Sequence, residues 1–219
     1  MFSVRGLVER LTLFERNKVP LRFKVLGLAM YFQISSLRRT ARVLSEFCMV
    51  SKTAVWKWIV KLREKLQIAS ERKARRFIAV DETCVNVNGE QYWVYSALDV
   101  DRNELISMRV YPTRNTLTSE SFFKGVLKYC EGKPEFIVDG APWLKEALIT
   151  LGLAHRQQTR GLRSLAESAF SSFKQRTKTF FNKITVNLKH NKALRWRRAV
   201  ECWNLFCKTF TYYYNHLRG

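Results

Sequence analysis

The sequence predicts an α/β chain, in which a mixed five-stranded sheet with helices follows an all-α N-terminal domain. Two observations predict it. Apolar residues recur at helical spacing up to about residue 75, and from Phe77 onward the pattern switches to the alternation of strands. The charge changes at the same boundary: residues 1–75 hold 17 Lys/Arg against 5 Asp/Glu, whereas residues 76–159 hold 9 against 11.

The whole chain of 219 residues carries a formal charge of +21, and residues 160–219 return to strong excess with 13 Lys/Arg against two acids, Glu167 and Glu201. An excess of this size implies a polyanionic partner, nucleic acid before an anionic membrane. A protein that only coats DNA has no need of an acidic centre; one that holds a divalent metal against DNA does. The apolar content of 47% excludes a disordered chain. The five cysteines show no paired spacing and sit in apolar stretches, which predicts buried free thiols in a reducing cytoplasm. His155, His190 and His216 do not fall at zinc-finger spacings. The N-terminus does not read as a signal peptide, and the longest apolar run, Val25–Phe32, is too short to span a bilayer. A soluble cytoplasmic protein, in the same compartment as the nucleoid, is expected.

In order along the chain, Pro20 marks a helix start, with Leu21, Val25, Leu28, Ala29 and Phe32 at helical spacing. Ser36 is a candidate N-cap for a helix with Leu37, Ala41 and Leu44 on one face. After the break Phe47-Cys48-Met49-Val50, Ser51 caps a second helix that keeps Val55, Trp58, Ile59 and Leu62 together. Two helices about a tight turn, over about residues 36–66, read as a helix-turn-helix. The opening residues of its second helix, Ser51, Lys52 and Thr53, with Lys57, are then candidates for DNA contact. A helical hairpin with no DNA role is the plainer alternative, and the charge of this segment weighs against it. The basic run to Arg75 and Arg76 reads as a linker that could track phosphates.

Three strands follow: Phe77–Val87, Gln91–Val100 and Glu104–Tyr111, with Asn88-Gly89 as a hairpin turn signal between the first two. A helix is expected over Thr118–Tyr129, a buried strand over Glu135–Val138, a helix over Trp143–Leu151, a short strand over Ala154–Gln158 and a helix over Leu162–Thr179. The last segment, Asn191–His216, is a long helix whose aromatic stripe runs through Trp196, Trp203, Phe206, Phe210 and Tyr213. Such a stripe is core or interface packing far more often than a cofactor site; Arg195, Arg197 and Arg198 lie off it and could face DNA. The expected partition is 1–75, 76–190 and 191–219.

Within this order, acids stand in the first strand (Asp81), at the end of the fourth (Asp139) and on the later helix (Glu167), with Glu82 and Asp99 as nearby competitors. If the first and fourth strands are neighbours, Asp81 and Asp139 meet, and a helix across the sheet brings Glu167 to them. Clustered carboxylates repel one another. A hard divalent cation such as Mg²⁺ relieves that repulsion, and two such ions suit phosphodiester chemistry. Each acid alone also has a bland reading; Asp139-Gly140, for instance, is ordinary turn chemistry.

The joint order of Val80-Asp81-Glu82-Thr83, Tyr92-Trp93-Val94-Tyr95-Ser96-Ala97-Leu98-Asp99, Val138-Asp139-Gly140-Ala141-Pro142, His155-Arg156-Gln157, Ala166-Glu167-Ser168 and Phe173–Phe180 resembles a known family. It is similar to the DDE transposases of the retroviral-integrase superfamily, and most nearly to short insertion-sequence transposases of the insertion-sequence six family and their archaeal members. The N-terminal segment ending Ala54-Val55-Trp56-Lys57-Trp58-Ile59 resembles the helix-turn-helix of those proteins, and the resemblance spans about residues 17–215. It implies an RNase H-like catalytic domain with Asp81, Asp139 and Glu167 as the catalytic, metal-holding triad for two Mg²⁺ or Mn²⁺ ions. It also implies that Arg176 and Lys178, in the same basic run as Lys174, hold DNA phosphates. The expected activity is metal-dependent cleavage and strand transfer at the ends of an insertion sequence. The expected partners are terminal inverted repeats, target DNA and a second copy of the chain, in a homodimer or larger homo-oligomer. A DNA-binding regulator without catalysis, or an RNase H-like nuclease without joining activity, are the alternatives.

Overall fold

The computed structural model describes residues 3–14, 18–65, 71–87, 90–158, 164–177 and 192–217. Four helices open the chain: α1 (Val4–Arg10), α2 (Leu21–Ile34), α3 (Leu37–Ser45) and α4 (Lys52–Lys65). The signals read from the sequence set their ends. Pro20 stands at the N-cap of α2, the Ser36 hydroxyl accepts from the Arg39 N–H, and the Ser51 hydroxyl accepts from the Ala54 N–H. Helix α2 stops at Ser35, which adopts a left-handed φ of 53°. Gly27 lets α2 lie close on the pair α3–α4: a Cβ there would stand 2.8 Å from a Leu44 methyl and 3.0 Å from the Trp58 ring. Leu44, Val55, Trp58, Ile59 and Leu62 are buried.

A two-residue strand β1 (Lys73–Ala74) leads into the meander β2 (Phe77–Val87), β3 (Glu90–Asp99) and β4 (Glu104–Tyr111). Residues Asn88 and Gly89, the expected hairpin turn, lie outside the described residues. Then come α5 (Thr116–Leu127), β5 (Cys130–Glu131), β6 (Glu135–Val138), α6 (Pro142–Thr150), β7 (His155–Gln157), α7 (Ser164–Thr177) and α8 (Lys192–His216). The main sheet is mixed and five-stranded, in the order β4-β3-β2-β6-β7. Strands β2, β3 and β4 are antiparallel neighbours; β6 runs parallel to β2, and β7 parallel to β6. Strand β1 pairs separately with β5.

The period-2 alternation sends the two sides of the sheet into two different cores. Ile78, Val80, Tyr95, Phe136 and Val138 pack with Phe122, Phe123 and Val126 of α5 and with Leu144, Ala147 and Leu148 of α6. On the opposite face Val85, Val94, Leu98, Leu105, Met108 and Val110 meet α7 and α8, and the N-terminal helices join that same core. The apolar packing therefore does not follow the expected partition: α1–α4 share one continuous core with the sheet and α8. Phe173 of α7 lies within 5.3 to 6.1 Å of the rings of Trp203, Phe206 and Phe210 of α8. The described part of the aromatic stripe is thus core. Asparagines of α8 also bond to the outer edge of β4 near both of its ends. The Val110 N–H donates to Asn204 Oδ1 at 2.9 Å, and Asn215 both accepts from the Leu105 N–H and donates to the Leu105 carbonyl. At these positions α8 covers the edge that another strand would use.

The structure corrects the expectation for Arg75 as a DNA contact. Its guanidinium is fully buried, donates to Asp99 at 2.6 Å and Glu104 at 3.1 Å, and also reaches the Tyr129 carbonyl. Asp99, fully buried as well, additionally accepts from Arg102 and is withdrawn from any metal role. The expectation of uniformly buried thiols is corrected too, since Cys202 is exposed and Cys48 and Cys84 are half-buried while Cys130 and Cys207 are buried; all five are free. Replacing Arg75 with Ala leaves Asp99 without its buried partner, and urea unfolding should show a loss of about 3–5 kcal/mol.

Candidate active site

The site is built on two parallel neighbours, midway along β2 and just past the end of β6. Ala79 of β2 pairs with Ile137 of β6, and two residues farther on both strands reach an aspartate, Asp81 and Asp139. Alternation turns both toward the face of the sheet that α7 covers, because Ala79 and Ile137 occupy that side. Both aspartates are half-buried. One oxygen of each is held by its own backbone: Asp81 Oδ1 accepts from the Glu82 N–H, and Asp139 Oδ1 from the Ala141 N–H, each at 3.0 Å. The second contact is an Asx turn that starts α6, whose first residue is Pro142.

Gly140 bridges Asp139 to that turn with φ of +90°, a conformation glycine alone adopts without strain. A Cβ at this position would also run into the amide of Gln157, which extends from β7 across the link. Gln157 stands in the motif His155-Arg156-Gln157, but its approach to Gly140 was not foreseen; it depends on β6–β7 pairing, which no local pattern reveals.

Glu82, one residue beyond Asp81, points to the other face. Its side chain is 5% exposed; Oε1 accepts from Trp143 Nε1 at 3.2 Å and lies 3.8 Å from Arg114, while the buried Oε2 has no hydrogen-bond partner among the described residues. Burial, and after it the charges of Asp139 and Asp81, push its carboxyl up to about 7. Ionising Glu82 there is harder by on the order of 3 kcal/mol. The charges of Asp139 and Asp81 are thus felt at Glu82 across the β2–β6 pair.

Glu167 lies in the first turn of α7 and is exposed. Helix α7 packs against β2 and β3 on the face that carries Asp81. Among the described residues no group of three or more His, Cys, Asp or Glu side chains is close enough to hold a metal ion. The donors Asp81 and Asp139 nevertheless fit a hard cation in kind. They are carboxylate oxygens with no thiol or imidazole between them, and the negative field felt by Glu82 is what such a cation neutralises.

Of the residues considered for DNA contact, Ser51, Lys52, Thr53 and Lys57 are exposed along the N-terminal half of α4. Trp56 and the α3 residues Arg38, Arg39 and Arg42, not weighed from the sequence, are exposed as well. Arg76 is exposed, stacked on Phe77 and paired with Asp101 at 3.0 Å. Lys174 and Arg197 are exposed on α7 and α8. Arg176, Arg195 and Arg198 belong to these two helices, and Lys178 lies outside the described residues.

A family model described as a DDE domain, of the transposase kind, matches residues 76–196, the span that holds all three acids. This chain belongs to the DDE transposase family. An uncharacterised protein of Methanocaldococcus jannaschii is 36% identical over 205 residues, covering 94% of this chain and 95% of that one. Among solved structures, the catalytic core domain of BIV integrase is similar at 14% identity with a TM-score of 0.45, over 67% of this chain and 87% of that one. A simian T-cell lymphotropic virus intasome chain is similar at 13% identity with a TM-score of 0.47, over 88% of this chain and 69% of that one. The strand order and directions of this DDE transposase are those of an RNase H-like domain, as the resemblance implied. No helix among its described residues is long and apolar enough to cross a membrane.

The Gly140→Ala variant should melt earlier, with a loss of about 1–3 kcal/mol from the positive φ. Adding Gln157→Ala removes the steric contact and should restore only part of that loss.

Proposed function

We propose that this chain cuts DNA at the ends of its own insertion sequence and joins those ends to target DNA. The observation that carries the reading is the pair of aspartates in β2 and just past the end of its parallel neighbour β6, on the face covered by the helix that bears Glu167. The distribution of charge supports it, since the acidic centre lies between two strongly basic flanks.

In this reading Asp81 and Asp139 hold a divalent cation, Mg²⁺ or Mn²⁺, and Glu167 completes the oxygen ligands from α7. When bound, one or two such ions would activate the attacking oxygen and stabilise the leaving oxygen of the phosphodiester. The rest falls to the protein. Strands β2 and β6 keep the two carboxylates side by side. Lys174, Arg176 and Lys178 near the glutamate bind phosphates and bring the scissile link to the acids, and Arg76, Arg195, Arg197 and Arg198 extend the basic track. Helix α4 enters the major groove of the terminal inverted repeat with Ser51, Lys52, Thr53 and Lys57.

Water first cleaves the phosphodiester and leaves a 3′-hydroxyl on the element. That hydroxyl then attacks a target phosphodiester and displaces the target's own 3′-oxygen. One bond forms as one breaks, so joining needs no external energy source. Both element ends must be held together, which calls for at least two copies of the chain.

Asp81→Asn, Asp139→Asn and Glu167→Gln should each abolish Mg²⁺-dependent nicking and joining of terminal DNA fragments while retaining their binding. Full strand transfer by any of the three overturns the assignment, and binding without nicking by the unaltered chain points to a regulator. Lys52→Ala and Lys57→Ala should each weaken binding to terminal DNA and lower the salt slope by about 1, read from anisotropy titrations at several salt concentrations.

A further inference from the structure

Beside the aspartates, and outside the proposed triad, four side chains from four different elements meet in one assembly. The Arg114 guanidinium, in the link between β4 and α5, lies between two tryptophans, 3.8 Å from the centroid of Trp93 on β3 and 4.0 Å from that of Trp143 on α6. The Trp143 indole N–H donates to Glu82 Oε1 at 3.2 Å, and Arg114 stands 3.8 Å from the same oxygen. A cation held between two aromatic faces and next to a buried carboxylate is a stiff unit, because stacking and charge fix the guanidinium plane together.

Its place in the chain gives it a consequence. Glu82 is the residue after Asp81, and its own N–H donates to Asp81 Oδ1. Trp143 follows Asp139 by four residues, across the link Gly140-Ala141-Pro142 that the Asp139 side chain caps. The described β2–β6 register ends at Ala79 and Ile137, two residues before the aspartates. The Glu82–Trp143 bond ties the two strands' continuations together again on the far side of them. The pair of aspartates is thus bracketed by ladder hydrogen bonds before it and by this assembly after it.

We propose that Glu82, Arg114, Trp93 and Trp143 act as a positioning device, which anchors the start of α6 to β2 and holds Asp81 and Asp139 at the spacing at which they share a divalent cation. The inference rests on the proposed metal role of those aspartates. The four residues act through the aspartates and touch neither the DNA nor the cation.

The variants Trp143→Phe, which keeps the ring but removes the donor, and Arg114→Lys, which keeps the charge but removes the stacking plane, separate the contributions. Mn²⁺ binding to the full chain without DNA is measured by calorimetry, alongside the melting temperature and the Mn²⁺ concentration that half-saturates nicking of terminal DNA. Loss of a group that orients a metal ligand typically costs 10–100-fold, so both variants should bind Mn²⁺ about tenfold more weakly. Their half-saturating Mn²⁺ should rise in parallel, while affinity for terminal DNA and the nicking rate at saturating Mn²⁺ stay near those of the unaltered chain. A lowered melting temperature with unchanged Mn²⁺ affinity in either folded variant overturns the proposal and leaves the assembly a purely structural one. Asp139→Asn is the control. If it abolishes Mn²⁺ binding and the other two variants do not alter it, positioning fails and the metal site stands; if it binds Mn²⁺ normally, the metal site itself fails and positioning with it.

Discussion

The parallel pairing of β2 with β6 is the constraint on which the rest of the molecule depends. Only three residue pairs, from Phe77–Glu135 to Ala79–Ile137, define it. Those pairs join segments more than fifty residues apart in sequence, and the cost of closing so long a loop is met by burial rather than by the ladder itself. Ile78, Val80, Phe136 and Val138 enter one core with α5 and α6, while Val85 and the inner residues of β3 and β4 enter another with α7 and α8. A slip of one residue would turn the aspartates away from α7 and push Ile78 and Val80 out of their core. The core therefore enforces the register, and the register sets Asp81 beside Asp139.

Charge is arranged with the same economy. Two kinds of acid occupy the sheet, distinguished by what surrounds them. Asp99 is wholly buried, and its charge is answered by Arg75 and Arg102, so it is a structural anion. Asp81, midway along β2, and Asp139, just past β6, are half-buried, and their field is felt at Glu82. Lysine and arginine are plentiful, yet Arg114, beside the two aspartates, is stacked between tryptophans and directed at Glu82. The basic excess lies instead on exposed helices, where phosphates can reach it.

Much of the fold was legible because its signals are local. Pro20, Ser36 and Ser51 mark helix starts through hydrogen bonds and backbone preferences that act within four residues. The alternation in Phe77–Val87 and the aromatic period of α8 state which side of each element is apolar. The readings that failed concern charged or polar groups whose partners are remote. Arg75 looked like part of an exposed basic run, yet it is buried because β1 pairs with β5 and brings Tyr129 within reach of its guanidinium. Cys202 looked buried by composition but falls off the stripe of α8. The assembly of Trp93, Arg114 and Trp143 carried no signal, since an arginine between two tryptophans exists only once three elements have come together.

The sequence by itself determined the order and apolar face of the longer elements, though not α1, β1 or β5, and the three acids in their chain order, because periodicity and capping are decided within a turn or two of the backbone. Tertiary structure alone decided which strands are neighbours and which acids are answered by buried arginines. It also decided that the N-terminal helices share a core with α8, and that Gln157 and Trp143 crowd the link after Asp139. The physical reason is the same throughout. Strand partners and buried ion pairs are chosen by the packing of distant surfaces, and nothing in the few residues around Asp81 or Arg75 states which distant segment will be pressed against them.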